Sequence, residues 1–239
     1  MAREVQARFF PRHFPRIPGL DYCGDSMPAG EVGGDLFDLI PIQSSSLVAA
    51  VGGVSGKGIP AAILMAGVQA SLKNLAVTQP QSLPAVAEEL NRIVLELCPE
   101  NAYATLFCAQ LEPARKKVHY FSAGYESALL IRGNGEQIRR LDSTGTVFGL
   151  TRNASYRQRT VSAEPGDVLA AFTDGVEEQA VLEALRRKPD APASELVEEI
   201  LEGERAVNAD RTLVIVRHTG SAEQSLYRKQ AADLVLTAA

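Results

Sequence analysis

The order of its segments constrains this chain most. Short apolar runs of β character come first, two helical runs follow, a long series of β-like runs comes next, and helical runs return before one last apolar strand. "LDYCGDSMPA", "DLFDLIPI" and "SLVAAVGGVS" are short apolar segments punctuated by Gly, Pro and Ser, and predict three strands. "PAAILMAGVQASLKNLAV" predicts a helix opened by Pro60, with Ile63, Ala66, Gly67 and Ala70 on its buried face. "SLPAVAEELNRIVLELC" predicts a second, capped by Ser82, with Val86, Leu90, Ile93, Val94 and Leu97 at helical spacing. "ATLFCAQLEP", "KKVHYFSAG", "ALLIRG", "EQIRRL", "VFGL", "RQRTVSAEPGD" and "VLAAFTDG" read as strands, with "GNGE" as a hairpin turn. Residues 176–187 and 194–207 read as helices and "TLVIVRH" as the last strand; the tail beyond Thr219 has room for a short helix. Strand runs and helix runs kept apart favour an α+β layered sandwich over a doubly wound βαβ sheet, in which the two alternate.

A chain of 239 residues, 46% of them hydrophobic, can bury one sizeable core. The expected organisation is one domain over 19–218, a lead-in helix or linker over 1–18 that Pro11, Pro15 and Pro18 interrupt, and a tail over 219–239. Twenty-four basic against 29 acidic residues give a net charge of −5, without the basic excess that holds nucleic-acid phosphates. Cys23, Cys98 and Cys108 are odd in number and have no C-x-x-C spacing, so neither a disulfide framework nor a zinc cluster is suggested and a reducing cytoplasm is expected. No unbroken apolar run reaches the roughly 18 residues of a membrane span.

"AAVGGVSGKGIPAAILM" joins an apolar strand to an apolar helix through a cluster of glycines around Lys57. It fails the phosphate-loop pattern, since Gly58 follows Lys57 where Ser or Thr would hold magnesium, and its glycine offsets miss the dinucleotide fingerprint. Glycines that let a strand turn sharply into a helix are the simpler reading. The informative acids stand beside other glycines: Glu31, Asp35 and Asp38 in "EVGGDLFD", Asp174, Glu177 and Glu178 in "FTDGVEE", and Asp210 ahead of the last strand. Singly each reads as a turn or cap residue; together they suggest a hard-cation site, because Mg²⁺ and Mn²⁺ take carboxylate oxygens from several segments. His13, His119 and His218 show no such grouping, and no Ser or Cys pairs with a recognisable base.

In chain order, "AREVQARFFP", "PAGEVGGDLFD", "VSGKGIPAAILM", "YATLFCAQLEP", "SAGYESALLI", "GTVFGL", "EPGDVLAAFTDGVEE" and "DRTLVIV" resemble the phosphatase domain of the stage II sporulation protein E type, in the PPM class of protein phosphatase 2C-like serine/threonine phosphatases. The resemblance covers about residues 2–217. It implies a central β-sandwich of two mainly antiparallel sheets flanked by helices, and two Mn²⁺ or Mg²⁺ ions held by aspartates that activate a water against phosphoserine or phosphothreonine. It carries metal roles onto Asp35, Asp174 and, through its backbone carbonyl, Val54; Asp38, Asp210 and Glu31 are neighbouring candidates. It also implies a phosphoprotein partner such as an anti-sigma-pathway regulator, and a dimer contact or sensor-domain linker at "EVQARFFP".

The chain departs from that pattern at the metal positions. The family's G-D-V-S-G-K-G turn reads "GGVSGKG", with Gly53 where the bridging Asp stands; its D-D-x-T reads "ADRT", with Ala209 in the first position; and its A-G-H reads "AGY", with Tyr125 for His. A bridging carboxylate offsets the repulsion of paired divalent ions, about 4 kcal/mol per unit-charge pair at ~4 Å and an effective dielectric of 20. The expectation is therefore a metal-dependent serine/threonine phosphatase weakened at Gly53 and Ala209, or else a pseudophosphatase that binds a phosphoprotein or regulator without turnover. In both, Asp35 and Asp174 should share one cleft at an edge of the sandwich beside Gly53.

Overall fold

In the computed structural model, which describes residues 1–220 other than 44, 81, 100–101, 133–134 and 204–208, ten strands among the described residues make two five-stranded sheets. One sheet runs, in spatial order, β1 (Leu20–Met27), β10 (Arg211–His218), β9 (Val168–Phe172), β6 (Ala128–Arg132) and β7 (Gln137–Arg140). The other runs β2 (Asp35–Ile42), β3 (Ser46–Val54), β4 (Ala104–Glu112), β5 (Lys117–Ala123) and β8 (Arg159–Ser162). Every neighbouring pair is antiparallel. Helices α2 (Gly58–Thr78) and α3 (Leu83–Leu97) cover the second sheet, and α4 (Glu178–Arg187) and α5 (Ala193–Glu202) cover the first. The arrangement is the α+β sandwich expected from the segregated runs.

Because side chains alternate across a strand, each buried strand splits its residues between two apolar layers. Phe37 and Leu39 of β2, Leu47, Ala49 and Val51 of β3, and Phe107, Ala109 and Leu111 of β4 pack between the sheets, against Leu169, Ala171, Val214 and Val216. The even-numbered residues Leu36, Ile40, Val48, Ala50, Leu106 and Cys108 pack under α2 and α3. On the other side of the molecule, Leu213 and Ile215 pack under α4 and α5. Both faces of the central strands are covered, which is why they read as nearly continuous apolar runs.

Three expectations need correction. The buried row of α2 is Ala61, Met65, Val68, Leu72 and Leu75, while Ile63 is 66% exposed. This helix is apolar around most of its circumference, so periodicity could not choose its buried face. By length and composition α2 could cross a membrane, which a count of unbroken apolar residues overlooks; here it packs on the sheet as a core helix. "VFGL" is not a strand but touches the sheet by a single bridge, Ala104 to Phe148.

Other expectations match more closely. The Ser82 hydroxyl accepts a hydrogen bond from the Ala85 amide at 3.3 Å, as a cap should. Part of the "GNGE" turn, the end of the helix expected over 194–207, and the tail helix lie outside the described residues.

The lead-in starts with a short helix, α1 (Ala2–Gln6), and continues along the body. Phe10 stacks on Phe37 at 5.2 Å, Phe14 meets the edge of Tyr22, and Ile17 is buried in the inter-sheet layer. The lead-in therefore contributes to the core.

Candidate functional site

The register of the strands assembles a polar row at one end of the inter-sheet layer. Across β2, β3 and β4, Asp35 stands opposite Gly53, and Gly53 opposite Thr105. These positions continue the odd-numbered inner face of Phe37, Val51 and Phe107 to where the sheets part. The other sheet supplies a facing row. Ser26 stands opposite Thr212, whose amide donates to Thr173 Oγ1 at 3.0 Å. Thr212 Oγ1 donates to Asp35 Oδ2 at 3.0 Å, joining the rows. Its single proton being committed there, the 2.7 Å contact with Ser26 has Ser26 as donor.

Burial raises the Asp35 carboxyl to about 6; hydrogen bonds from Thr173 and Thr212 oppose the shift, and the charges of Asp210 and Asp174 add to it.

The rows open into a cleft of about 950 Å³. Asp174, exposed just past the end of β9, and Asp210, just ahead of β10, reach it from the first sheet. The turn from β3 into α2 forms the opposite wall with Lys57, Gly58 and Ile59. That turn takes the backbone through positive φ at Gly56 (+109°) and Gly58 (+68°), a region that favours glycine. Gly53 is different: it is ordinary strand, and a Cβ there would lie 3.0 Å from Asp35 Oδ1. The side chain of Asp35 thus occupies part of the space that a residue at 53 would fill.

The 29–34 loop is held from two sides. Asp210 Oδ1 accepts from the Ala29 amide and Oδ2 from the Gly34 amide, both at 2.8 Å. The buried Gln6 side chain pairs with the Gly33 backbone, donating at 2.7 Å to its carbonyl and accepting at 3.0 Å from its amide.

Tyr125 lines the cleft from the β5–β6 connection, 7% exposed, with its ring 6.4 Å from that of Phe107. Its hydroxyl is buried without a hydrogen-bond partner. Burial, reinforced by the charges of Asp35 and Asp174, raises its pKa well above the usual phenol value, so it stays protonated.

The structure therefore brings Asp35, Asp174, Asp210 and Glu31 to one cleft beside Gly53 and Ala209. Asp38 does not join them. Three residues after Asp35, it lies on the opposite face of the same strand, fully buried, with Lys73 of α2 3.5 Å away. Val54 is buried outside the cleft lining, its amide bonded to the Gly34 carbonyl. Glu177 and Glu178 also lie elsewhere: Glu177 precedes α4, and Glu178 pairs with Arg140. Sequence reasoning missed Thr173, Thr212 and Ser26; the alternation of β10 carried the signal for Thr212, two residues before the inward-facing Val214.

The donor set does not fit the pair of divalent ions that the resemblance implies. Positions 53 and 209 offer no carboxylate, both oxygens of Asp210 already accept backbone amides, and Oδ2 of Asp35 is bonded to Thr212. Among the described residues, no three His, Cys, Asp or Glu side chains are grouped so as to hold a metal ion. The cleft offers instead a cluster of negative charge, with Tyr125 among its lining residues.

Comparison with known proteins gives consistent matches. The family model described as Stage II sporulation protein E (SpoIIE) matches residues 43–219. The phosphoserine phosphatase RsbU of Bacillus subtilis (strain 168) is 28% identical over 201 residues, covering 83% of this chain and 58% of that protein, so the chain spans little more than half of this relative's length. Among solved structures, the RsbU and RsbW domains of Rv1364c from Mycobacterium tuberculosis align with a TM-score of 0.74 at 23% identity, covering 87% of this chain and 62% of that one. The SiaA-PP2C domain of Pseudomonas aeruginosa aligns with a TM-score of 0.73 at 18% identity, covering 90% and 94%. At such identities the structural likeness is one of fold.

Proposed function

Since the chain belongs to the stage II sporulation protein E family, we propose that it is a cytoplasmic, regulator-binding signalling domain, a pseudophosphatase that keeps the phosphatase fold without efficient turnover. The observation that carries this reading is the state of the acids. Gly53 and Ala209 supply no ligand, and the neighbouring Asp210 has both oxygens committed to the 29–34 loop. A water without paired metal ions keeps too high a pKa to attack a phosphate ester, and the hydroxyls of Thr173 and Thr212 are tied to Asp35 rather than poised as nucleophiles. The likeness to RsbU, and to a solved chain carrying RsbU and RsbW domains, supports a regulatory protein of an anti-sigma pathway as the partner.

The second reading is a weakened Mn²⁺- or Mg²⁺-dependent serine/threonine phosphatase. What favours it is the survival of Asp35 and Asp174 in one cleft. Mn²⁺-dependent hydrolysis of p-nitrophenyl phosphate and of a phosphoserine peptide separates the two. The parent is expected at background. Gly53→Asp together with Ala209→Asp is expected to raise the rate on the order of 10²-fold, with each single change giving less because the ligands act as a unit. Gly53 has strand geometry, and a Cβ there needs a shift of a few tenths of an ångström by the Asp35 carboxylate. Mn²⁺-dependent turnover by the parent well above background would overturn the pseudophosphatase reading.

A further inference from the structure

We propose that the outward face of α2 is an interface between two copies of this chain, an antiparallel helix pair centred between Ala66 and Ala70. The other helices that cover the sandwich turn charge to solvent: Glu88, Arg92 and Glu96 on α3, Glu183, Arg186 and Arg187 on α4, Glu195, Glu198 and Glu202 on α5. α2 does not. Of its 21 residues, Lys73 alone is charged. Ile59, Ile63, Ala66, Ala70, Lys73 and Val77 recur at alternating steps of four and three, the spacing that keeps one seam of a helix facing a partner helix. Ile59, Ile63 and Val77 are 61%, 66% and 58% exposed, and Ala70 and Lys73 are exposed with them. This row lies away from the buried one of Ala61, Met65, Val68 and Leu72, so packing on the sheet does not account for it. Monomers seldom leave such a contiguous apolar strip in water.

The occupant follows from the symmetry of the row itself. Reversed and laid on its own copy about the midpoint of Ala66 and Ala70, it sets Ile59 against Val77, Ile63 against Lys73, and Ala66 against Ala70. Large side chains meet at both ends, and the alanines meet at the crossing, where they let the axes approach to about 8 Å. Each copy gives the same patch, as a two-fold contact requires. Charge selects the antiparallel sense. In a parallel pair the two lysines would stand at one level, whereas reversed they are offset by about 15 Å along the axis, beyond the screening length of physiological salt. Each keeps its own Asp38 3.5 Å away and lays its methylenes on Ile63 of the second copy. A helix of 21 residues is about 31 Å long and about 10 Å across, so the two faces together remove on the order of 1,000 Å² from water, the lower bound for a specific contact. The pair is therefore weak, a micromolar equilibrium rather than an obligate dimer. Because Ile59 also lines the cleft, Val77 of the second copy comes to its rim.

The test is sedimentation velocity of the full chain from low to high micromolar concentration, with thermal unfolding at the lowest concentration to show that each variant folds. The parent is expected to pass from monomer to dimer. Ala70→Glu, at an exposed position, brings two glutamates close to the two-fold axis and is expected to weaken association roughly tenfold or more, with its thermal midpoint within a few degrees of the parent's. The register is read by comparing Ile63→Glu with Ile63→Lys. Opposite Lys73 of the second copy, the glutamate variant is expected to associate roughly tenfold more tightly than the lysine variant. A parallel pair would set residue 63 against itself and make the two equally weak. A parent monomeric throughout, an Ala70→Glu variant that dimerises as the parent does, or equal association of the two Ile63 variants would overturn the proposal. So would a dimer that Val5→Glu on α1 abolishes and Ala70→Glu leaves intact, since that would place the contact on the lead-in. None of these readouts depends on turnover in the cleft.

Discussion

Asp35 and Asp38 stand three residues apart on β2 and meet opposite fates. Asp35 faces the inter-sheet layer at its open end, where threonine hydroxyls and further acids surround it. Asp38 faces the helical layer, fully buried, with Lys73 3.5 Å away and the Leu39 amide donating to its Oδ1 at 3.0 Å. An odd separation on a strand sends two identical side chains into different environments, so proximity in sequence says little about membership in a site. The inner face is a hard apolar layer that ends in polar chemistry, whereas the outer face is mainly apolar with the Lys73–Asp38 pair and the buried Gln69 set into it.

The strongest way to break this contrast is at Phe37, which lies between the two acids in the chain and packs in the inter-sheet layer. Its ring is 1% exposed and stacks on Phe10, so truncation opens a cavity and loosens the lead-in together. Phe37→Ala is expected to cost about 4 kcal/mol of unfolding free energy in urea denaturation. A cost below about 1 kcal/mol, the range of a surface change, would show that the lead-in and inner layer are not one packed unit.

The next effect sharpens the electrostatic side of the contrast. The carboxyl of Asp35 titrates near 6 when folded, above its ordinary value, so the folded state binds the extra proton. The stabilisation is complete at acid pH and is lost as pH rises from about 4 through about 6. Asp35→Asn removes the titration while keeping an acceptor for Thr212. The variant should match the parent near pH 4 and exceed it by about 2 kcal/mol at pH 7 to 8, followed by thermal unfolding across pH. A variant that falls below the parent at pH 8 would mean that the threonine hydroxyls more than offset the burial of that charge.

Much of this was legible in the residues. The segregated runs pointed to an α+β layered sandwich and the family resemblance to two sheets with outer helices, and the alternation of "DLFDLIPI" already separates Asp35 from Asp38, although both stood as metal candidates. Against the family pattern, Gly53 and Ala209 were visible as missing acids. Other features depend on pairings distant in sequence. Asp210 is spent on Ala29 and Gly34, some 180 residues away, and Gln6 on Gly33; nothing local announces either. The buried face of α2 was hidden for another reason, since a helix apolar nearly all round has no periodicity to read.

The smallest expected effect tests the outer face. Burial pushes the Asp38 carboxyl up, and Lys73 is the largest influence opposing it. Lys73 is about half exposed, so solvent screens the pair, and its removal should cost far less than breaking a fully buried one. Lys73→Met is expected to cost about 1 kcal/mol at pH 8. The sign of its pH dependence follows from the raised carboxyl: at acid pH Asp38 is neutral and needs no cation, so parent and variant should converge, and they should separate as pH rises and the acid ionises. Asp38→Asn in the Lys73→Met background should erase that separation, because an amide carries no charge to leave unpaired. A deficit constant from pH 4 to pH 8 would instead assign the role of Lys73 to packing of its methylene stem on α2 and the strand beneath.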